Sequence, residues 1–185
     1  MAFEVMLDLE TMSTSSSAAI VSIGAVKFDP HGKIGDLGDP ANAEYKPFYC
    51  TVELTSCIDA GLHVSGSTIE WWLKQENDAR AALNNEPRYA IEKALGEFWI
   101  WFGGESLPTW GNGADFDCVI LHNAYDKLHG VAPFKFYHHR CFRTMKSLFP
   151  DVPYVKPSLA HHALSDAEAQ AVHLQKLFNF INQKG

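Results

Sequence analysis

The chain has 185 residues, 46% of them hydrophobic, and a formal charge of -7. That length carries one core and is too short to divide comfortably into two, while 20% charged and 12% aromatic residues exclude sustained disorder. The acidic balance excludes a protein that coats long duplex through a broad basic face, because phosphate neutralisation supplies most of that affinity. It leaves room for proteins whose acids are neutralised by bound metal ions.

Four cysteines, Cys50, Cys57, Cys118 and Cys141, form no CxxC pair and no regular spacing, so neither a disulfide framework nor a zinc ribbon is expected. Reduced thiols fit a cytoplasmic protein. The opening MAFEVMLDLE has no basic leader and no long apolar run, so no membrane partner is expected.

In chain order, Phe3, Val5, Leu7 and Leu9 alternate with Glu4, Met6, Asp8 and Glu10, the period of a strand with one buried face. The run Ser13 to Ser17 reads as a turn. Ala19 to Phe28 is rich in β-branched residues, and Phe48 to Val52 follows a Gly/Pro/Asp loop, which together make a three-stranded antiparallel meander. Ser67-Thr68-Ile69-Glu70 has capping-box spacing ahead of a helical pattern from Ile69 to Leu83. A second helix is expected to start near Pro87 and to present Ile91, Leu95, Phe98 and Phe102 on one side. Leu107 to Trp110 reads as a fourth strand, Phe116 to Leu128 as a helix and Phe134 to Tyr137 as a fifth strand. A last helix opens with the capping box Ser165-Asp166-Ala167-Glu168 and runs through Val172, Leu174, Leu177 and Ile181.

Three meander strands followed by helix-separated strands predict an α/β domain over residues 1–185. Its mixed five-stranded sheet carries helices on both faces, with the last two strands parallel to the first. That order is compatible with a ribonuclease-H-like fold.

Asp8 and Glu10 leave the same face of the first strand, and two adjacent carboxylates repel unless a cation lies between them. Hard oxygen ligands suit Mg²⁺ or Mn²⁺. By itself a D-x-E triplet is equally the polar edge of an ordinary strand. Gly111 to Asp117 forms a Gly-rich turn from strand end to helix, where ligands of open α/β sheets collect. Asp115 and Asp117 both qualify there as metal ligand or as helix cap. In His161-His162-Ala163-Leu164-Ser165-Asp166, the acid lies in a first helical turn, a stabilising place for an anion in any protein. A histidine on the approach loop can titrate near neutral pH.

Taken together, these three segments resemble the DEDD superfamily of 3′-to-5′ exonucleases, in the subgroup whose third motif contains histidine. DLET (Asp8 to Thr11), GADFDCVIL around Asp117 and HHALSD (His161 to Asp166) look like its three motifs. TIEWWLKQENDARAAL (Thr68 to Leu83), WGNGADFDCVIL (Trp110 to Leu121) and RCFRT (Arg140 to Thr144) look like the exodeoxyribonuclease VIII-like and phage exonuclease branch. The likeness covers almost the whole chain. It departs at Gly113, where many relatives carry Asn four residues before the acid.

The resemblance implies one 3′-to-5′ exonuclease domain in which Asp8, Glu10, Asp117 and Asp166 hold two Mg²⁺ or Mn²⁺ ions, with Asp117 preferred to Asp115. It implies His161, rather than His162, as the general base, and His162 as a neighbour that packs or faces solvent. The substrate is expected to be DNA at single-stranded 3′ ends, released as nucleoside 5′-monophosphates, with RNA as the alternative. Thr11, Met12, one of Trp71 and Trp72, and Arg143 are the expected substrate contacts, core packing being equally natural for at least one tryptophan. Lys135, His138, His139, Arg140, Arg143 and Lys146 form the only local basic concentration, either a phosphate guide or a solvated face. The resemblance also admits a homodimer. A non-catalytic binding module of the same fold is the reading from another class, and the presence of all five site residues argues against it. A zinc site from His138, His139 and Cys141 lacks a second ligand pair, and no G-x-S-x-G elbow supports a serine hydrolase.

Overall fold

The computed structural model describes residues 3–37, 45–104, 106–113, 115–157, 159 and 161–184. Residues 38–44 of the Gly/Pro/Asp loop lie outside the described residues. The chain runs β1 (Glu4–Thr11), β2 (Ile20–Phe28), β3 (Phe48–Val52), α1 (Leu54–Asp59), α2 (Gly66–Leu73), α3 (Asn77–Ala82) and β4 (Arg88–Tyr89). It continues through α4 (Ile91–Phe102), β5 (Thr109–Gly111), α5 (Asp117–Leu128), β6 (His139–Cys141), α6 (Phe142–Leu148) and α7 (Ala163–Lys184).

The sheet has six strands in the order β4-β3-β2-β1-β5-β6. β1, β2 and β3 are the expected antiparallel meander, and β5 lies parallel to β1 with Val5 opposite Thr109 and Met6 opposite Trp110. β6 continues the parallel half, and the short β4 adds a sixth strand beyond β3.

β1 is central, so both of its faces are covered, where sequence alternation predicted one. Val5, Leu7 and Leu9 pack with Leu95 and Phe98 of α4 and Leu121 and Tyr125 of α5. Met6, with Val26 and Phe28, packs with Phe142 of α6 and Leu174 and Leu177 of α7. Each fully buried large apolar side chain contributes roughly 1.5–3 kcal/mol relative to exposure, which makes these two layers the rigid frame of the molecule. On β1, Asp8 and Glu10 extend the Met6 row, so the polar part of that face is set against α7.

Several local expectations are corrected. The fifth strand is His139–Cys141 rather than Phe134 to Tyr137, because Phe134 is fully buried among α4 and α5 residues and Phe136–His138 coils into a 3-10 turn. The pattern from Ile69 to Leu83 is two helices broken at residues 74–76, and the first begins at Gly66 behind Ser65, so Ser67 caps nothing. Pro87 follows a cis peptide bond and leads into β4, with α4 starting at Ile91. α7 begins at Ala163, which places Ser165 inside its first turn rather than at its cap, while Asp166 lies in the first turn as expected. The four cysteines are free. Among the described residues no helix is long and apolar enough to cross a membrane.

Candidate active site

β5 is only three residues long, so its ladder with β1 stops at Met6. Leu9, farther along that edge of β1, has no strand partner there, and its N–H donates instead to Asp117 Oδ1 at 3.1 Å. Asn112 N–H donates to the other oxygen, Oδ2, at 2.8 Å. Gly111 is needed for this approach, since a Cβ there would lie 2.9 Å from Asp117 Oδ2. The turn between β5 and α5 thus fixes the carboxylate at the carboxyl end of the sheet.

A second glycine seats α7. Gly24 pairs with Asp8 in the β1/β2 register, and a Cβ on it would fall 2.2 Å from the Ala163 carbonyl carbon and from Leu164 N. Only a bare backbone lets the helix start come down beside Asp8. His162 caps that start: Ser165 N–H donates to its Nδ1 at 3.3 Å, and its ring stacks on Tyr49 at 4.5 Å. His162 N–H in turn donates to Asp166 Oδ2 at 3.3 Å. His161 adopts a left-handed backbone at φ 60°, a conformation disfavoured for a side chain with a Cβ and concentrated at functional sites. Its ring stands edge to face with those of Trp71 and Trp72, with centroids 5.0 and 6.0 Å apart.

These elements converge on a cavity of about 210 Å³ lined by Asp8, Glu10, Asp117, Asp166 and His161, together with Arg143, Gln170 and Phe116. Asp8, Glu10 and Asp166 each offer one carboxylate oxygen within 4.8 Å of the others. Asp117 lines the same cavity but stands outside that triplet.

Burial, reinforced by the other carboxylates, holds the Asp8 carboxyl well above its usual range. Burial followed by the charges of Asp166 and Asp117 pushes Glu10 up to about 8. Burial raises Asp117 to about 6 against the pull of its backbone donors. Burial also raises Asp166, opposed by His161. Such a cluster can take up cations in place of protons. Hard carboxylate oxygens gathered in this way suit a divalent cation such as Mg²⁺ or Mn²⁺.

A neighbouring cavity of about 370 Å³ shares Leu9, Glu10 and Phe116 with the first and adds Thr11, Thr14, Ser67, Thr68, Trp71 and Trp72. Met12 lines neither: its N–H donates to Ala19 O and its carbonyl accepts from Ser65 N–H. Of the basic segment 135–146, only Arg143 lines the acid cavity. Sequence reasoning missed Gln170, whose Nε2 donates to Asp8 Oδ1 at 2.8 Å, and the capping role of His162. The one signal for Gln170 was its place one helical turn after Asp166.

A mixed sheet of this order thus brings acids from β1, α5 and α7 to one cavity with a histidine beside them. Residues 3–178 match the Rv2179c-like family, described as a 3′-5′ exoribonuclease Rv2179c-like domain. The chain belongs to that family and is a 3′-5′ exonuclease. It is 26% identical to an exodeoxyribonuclease of Enterobacteria phage T4, over 77% of this chain and 70% of the phage protein. The fold is shared with the nuclease domain of 3′hExo, a DEDDh family member bound to rAMP, at a TM-score of 0.58 and 13% identity over 96% of this chain and 92% of that one. It is shared too with E. coli exonuclease I in complex with a dT13 oligonucleotide, at a TM-score of 0.62 and 14% identity over 98% of this chain. The chain spans 44% of exonuclease I. Membership of an exonuclease family sets aside the non-catalytic module.

Proposed function

We propose that residues 1–185 form one catalytic domain that removes nucleotides from single-stranded 3′ ends of DNA, in the cytoplasm, releasing nucleoside 5′-monophosphates. The observation that carries this reading is the convergence of Asp8, Glu10 and Asp166 oxygens within 4.8 Å in a cavity that also holds Asp117 and His161. These four acids would hold two Mg²⁺ or Mn²⁺ ions. Bound there, the ions supply charge neutralisation at the attacked phosphate and at the leaving 3′ oxygen.

The chain's own residues do the rest. His161 takes the proton of the attacking water at a ring nitrogen, and its left-handed backbone and the two perpendicular indoles beside it keep the imidazole in the cavity. The Arg143 guanidinium, in the same cavity, binds the phosphate. Thr11 and Trp71 border the adjoining cavity, where Trp71, 42% exposed, offers a face to the terminal base. Trp72 is 4% exposed and its indole N–H is committed to Thr11 O at 3.0 Å, so it builds the wall rather than meeting the base.

RNA is the second reading. It is favoured by the family's description and by four hydroxyl side chains, Thr11, Thr14, Ser67 and Thr68, in the adjoining cavity, since a 2′-hydroxyl is recognised by such partners.

The test is a time course on matched end-labelled DNA and RNA, single-stranded and duplex, with Mg²⁺, Mn²⁺ or EDTA. The expected result is stepwise loss from the 3′ end of single-stranded DNA, abolished by EDTA and by Asp117→Asn or His161→Ala in folded protein. Strong preference for RNA would overturn the choice of sugar. Near-normal turnover in either variant would remove that residue from the scheme.

A further inference from the structure

Three of the four acids are held by donors of the protein itself. Backbone N–H groups hold Asp117 and Asp166, but Asp8 is held by a side chain, the Gln170 amide at 2.8 Å. Among the described residues no other side chain donates to any of the four. Gln170 is 2% exposed and lies on α7 four residues after Asp166, so both point from one helix face into the cavity.

The chemistry fixes which way the amide points. With a cation bound Asp8 is ionised, and an amide oxygen turned toward it would set two acceptors against each other, so Nε2 faces Asp8, as the 2.8 Å contact has it. The consequence is that Oε1 is buried without a hydrogen-bond partner among the described residues. An unpaired buried acceptor costs about 1–3 kcal/mol, and a Met or Leu would continue the buried face of Ala167, Ala171 and Leu174 without that cost. Stability therefore does not account for a glutamine here.

We propose that Gln170 is a positioning residue for the reaction: by committing one Asp8 oxygen to its amide, it holds the carboxylate so that the other oxygen is free for a divalent cation. This rests on the reading above that Asp8 binds metal.

Gln170→Met and Gln170→Leu remove the donor and keep the volume. Mn²⁺ affinity by calorimetry and kcat on an oligonucleotide are expected to fall about tenfold or more in both, with KM changed by less than about twofold. Thermal midpoints in EDTA are expected to equal or exceed wild type. Asp8→Asn is the control, expected to lose most Mn²⁺ binding. If both Gln170 variants bind Mn²⁺ like wild type while Asp8→Asn does not, the positioning role is overturned and the metal reading stands. If Asp8→Asn also binds like wild type, the metal reading itself falls. Loss of Mn²⁺ affinity together with a lowered midpoint in EDTA in both variants would mark Gln170 as a fold residue and overturn the proposal.

Discussion

Asp117 has its two oxygens tied to the backbone of β1 and of the β5–α5 turn, whereas Glu10 accepts from no donor among the described residues. The cluster thus combines fixed carboxylates with a freer one, which can adjust to an ion or to a passing phosphate. Trp71 and Trp72 divide in the same way. Their rings meet edge to face at 4.9 Å, but only the second is locked by a hydrogen bond to Thr11 O. Trp71→Ala is expected to raise KM for an oligonucleotide roughly tenfold while leaving the thermal midpoint near wild type, the size of a lost base stack. An unchanged KM would take Trp71 out of the substrate path. At this scale the D-x-E pair and the H-x-x-x-x-D spacing were legible because both are local patterns. Gln170, the Gly111 contact and the capping by His162 were not, because each depends on an atom brought in by another element or by the fold of a turn.

The meander and α7 announced themselves through long, regular periodicity, and they are where the expectations held. Short elements did not. β6 is three residues whose strand character comes from pairing with β5, and Phe134 beside it reads as a strand residue only because it fills a core position. α1 and α6 carry too few turns for a period to be counted. The docking of α7 on β2 is the packing event that matters most to the site, because it delivers Asp166 and Gln170 to Asp8 and Glu10. Gly24→Ala places a methyl 2.2 Å from the Ala163 and Leu164 backbone, so α7 must lift. The expected outcome is a destabilisation of about 1–3 kcal/mol, measured by denaturant unfolding. A larger loss is expected in kcat, about a hundredfold, because a displacement on the order of 1 Å misplaces the acids. Wild-type kcat in this variant would mean that the helix start has slack the close approach denies it.

Across the whole molecule, three distant stretches of sequence bring acids to one cavity inside a chain already at -7. The family resemblance anticipated that convergence, while the burial that makes it strained was hidden in the central position of β1. Glu10 is pushed up to about 8 and Asp8 well above its usual range, so the folded protein holds protons that the unfolded chain releases. Stability from this source is complete below pH ~4.5 and is lost as pH rises through about 8. His173, pushed down to about 4 by burial and by Lys176 and Lys146, works in the opposite sense, losing its contribution as pH falls from its unfolded value of 6.5 toward 4. His139, whose imidazole pKa burial also lowers, acts in the same sense, and both contributions level off as the unfolded imidazoles lose their protons above pH 6.5, leaving the acids to set the trend. The most direct measurement is therefore the thermal midpoint between about pH 6.5 and 8, in EDTA and in saturating Mn²⁺. The midpoint in EDTA should fall across that range and Mn²⁺ should abolish the fall, stabilising more at the higher pH as metal replaces protons. Parallel curves with and without Mn²⁺ would contradict the account, for they would mean that the gathered acids hold no cation.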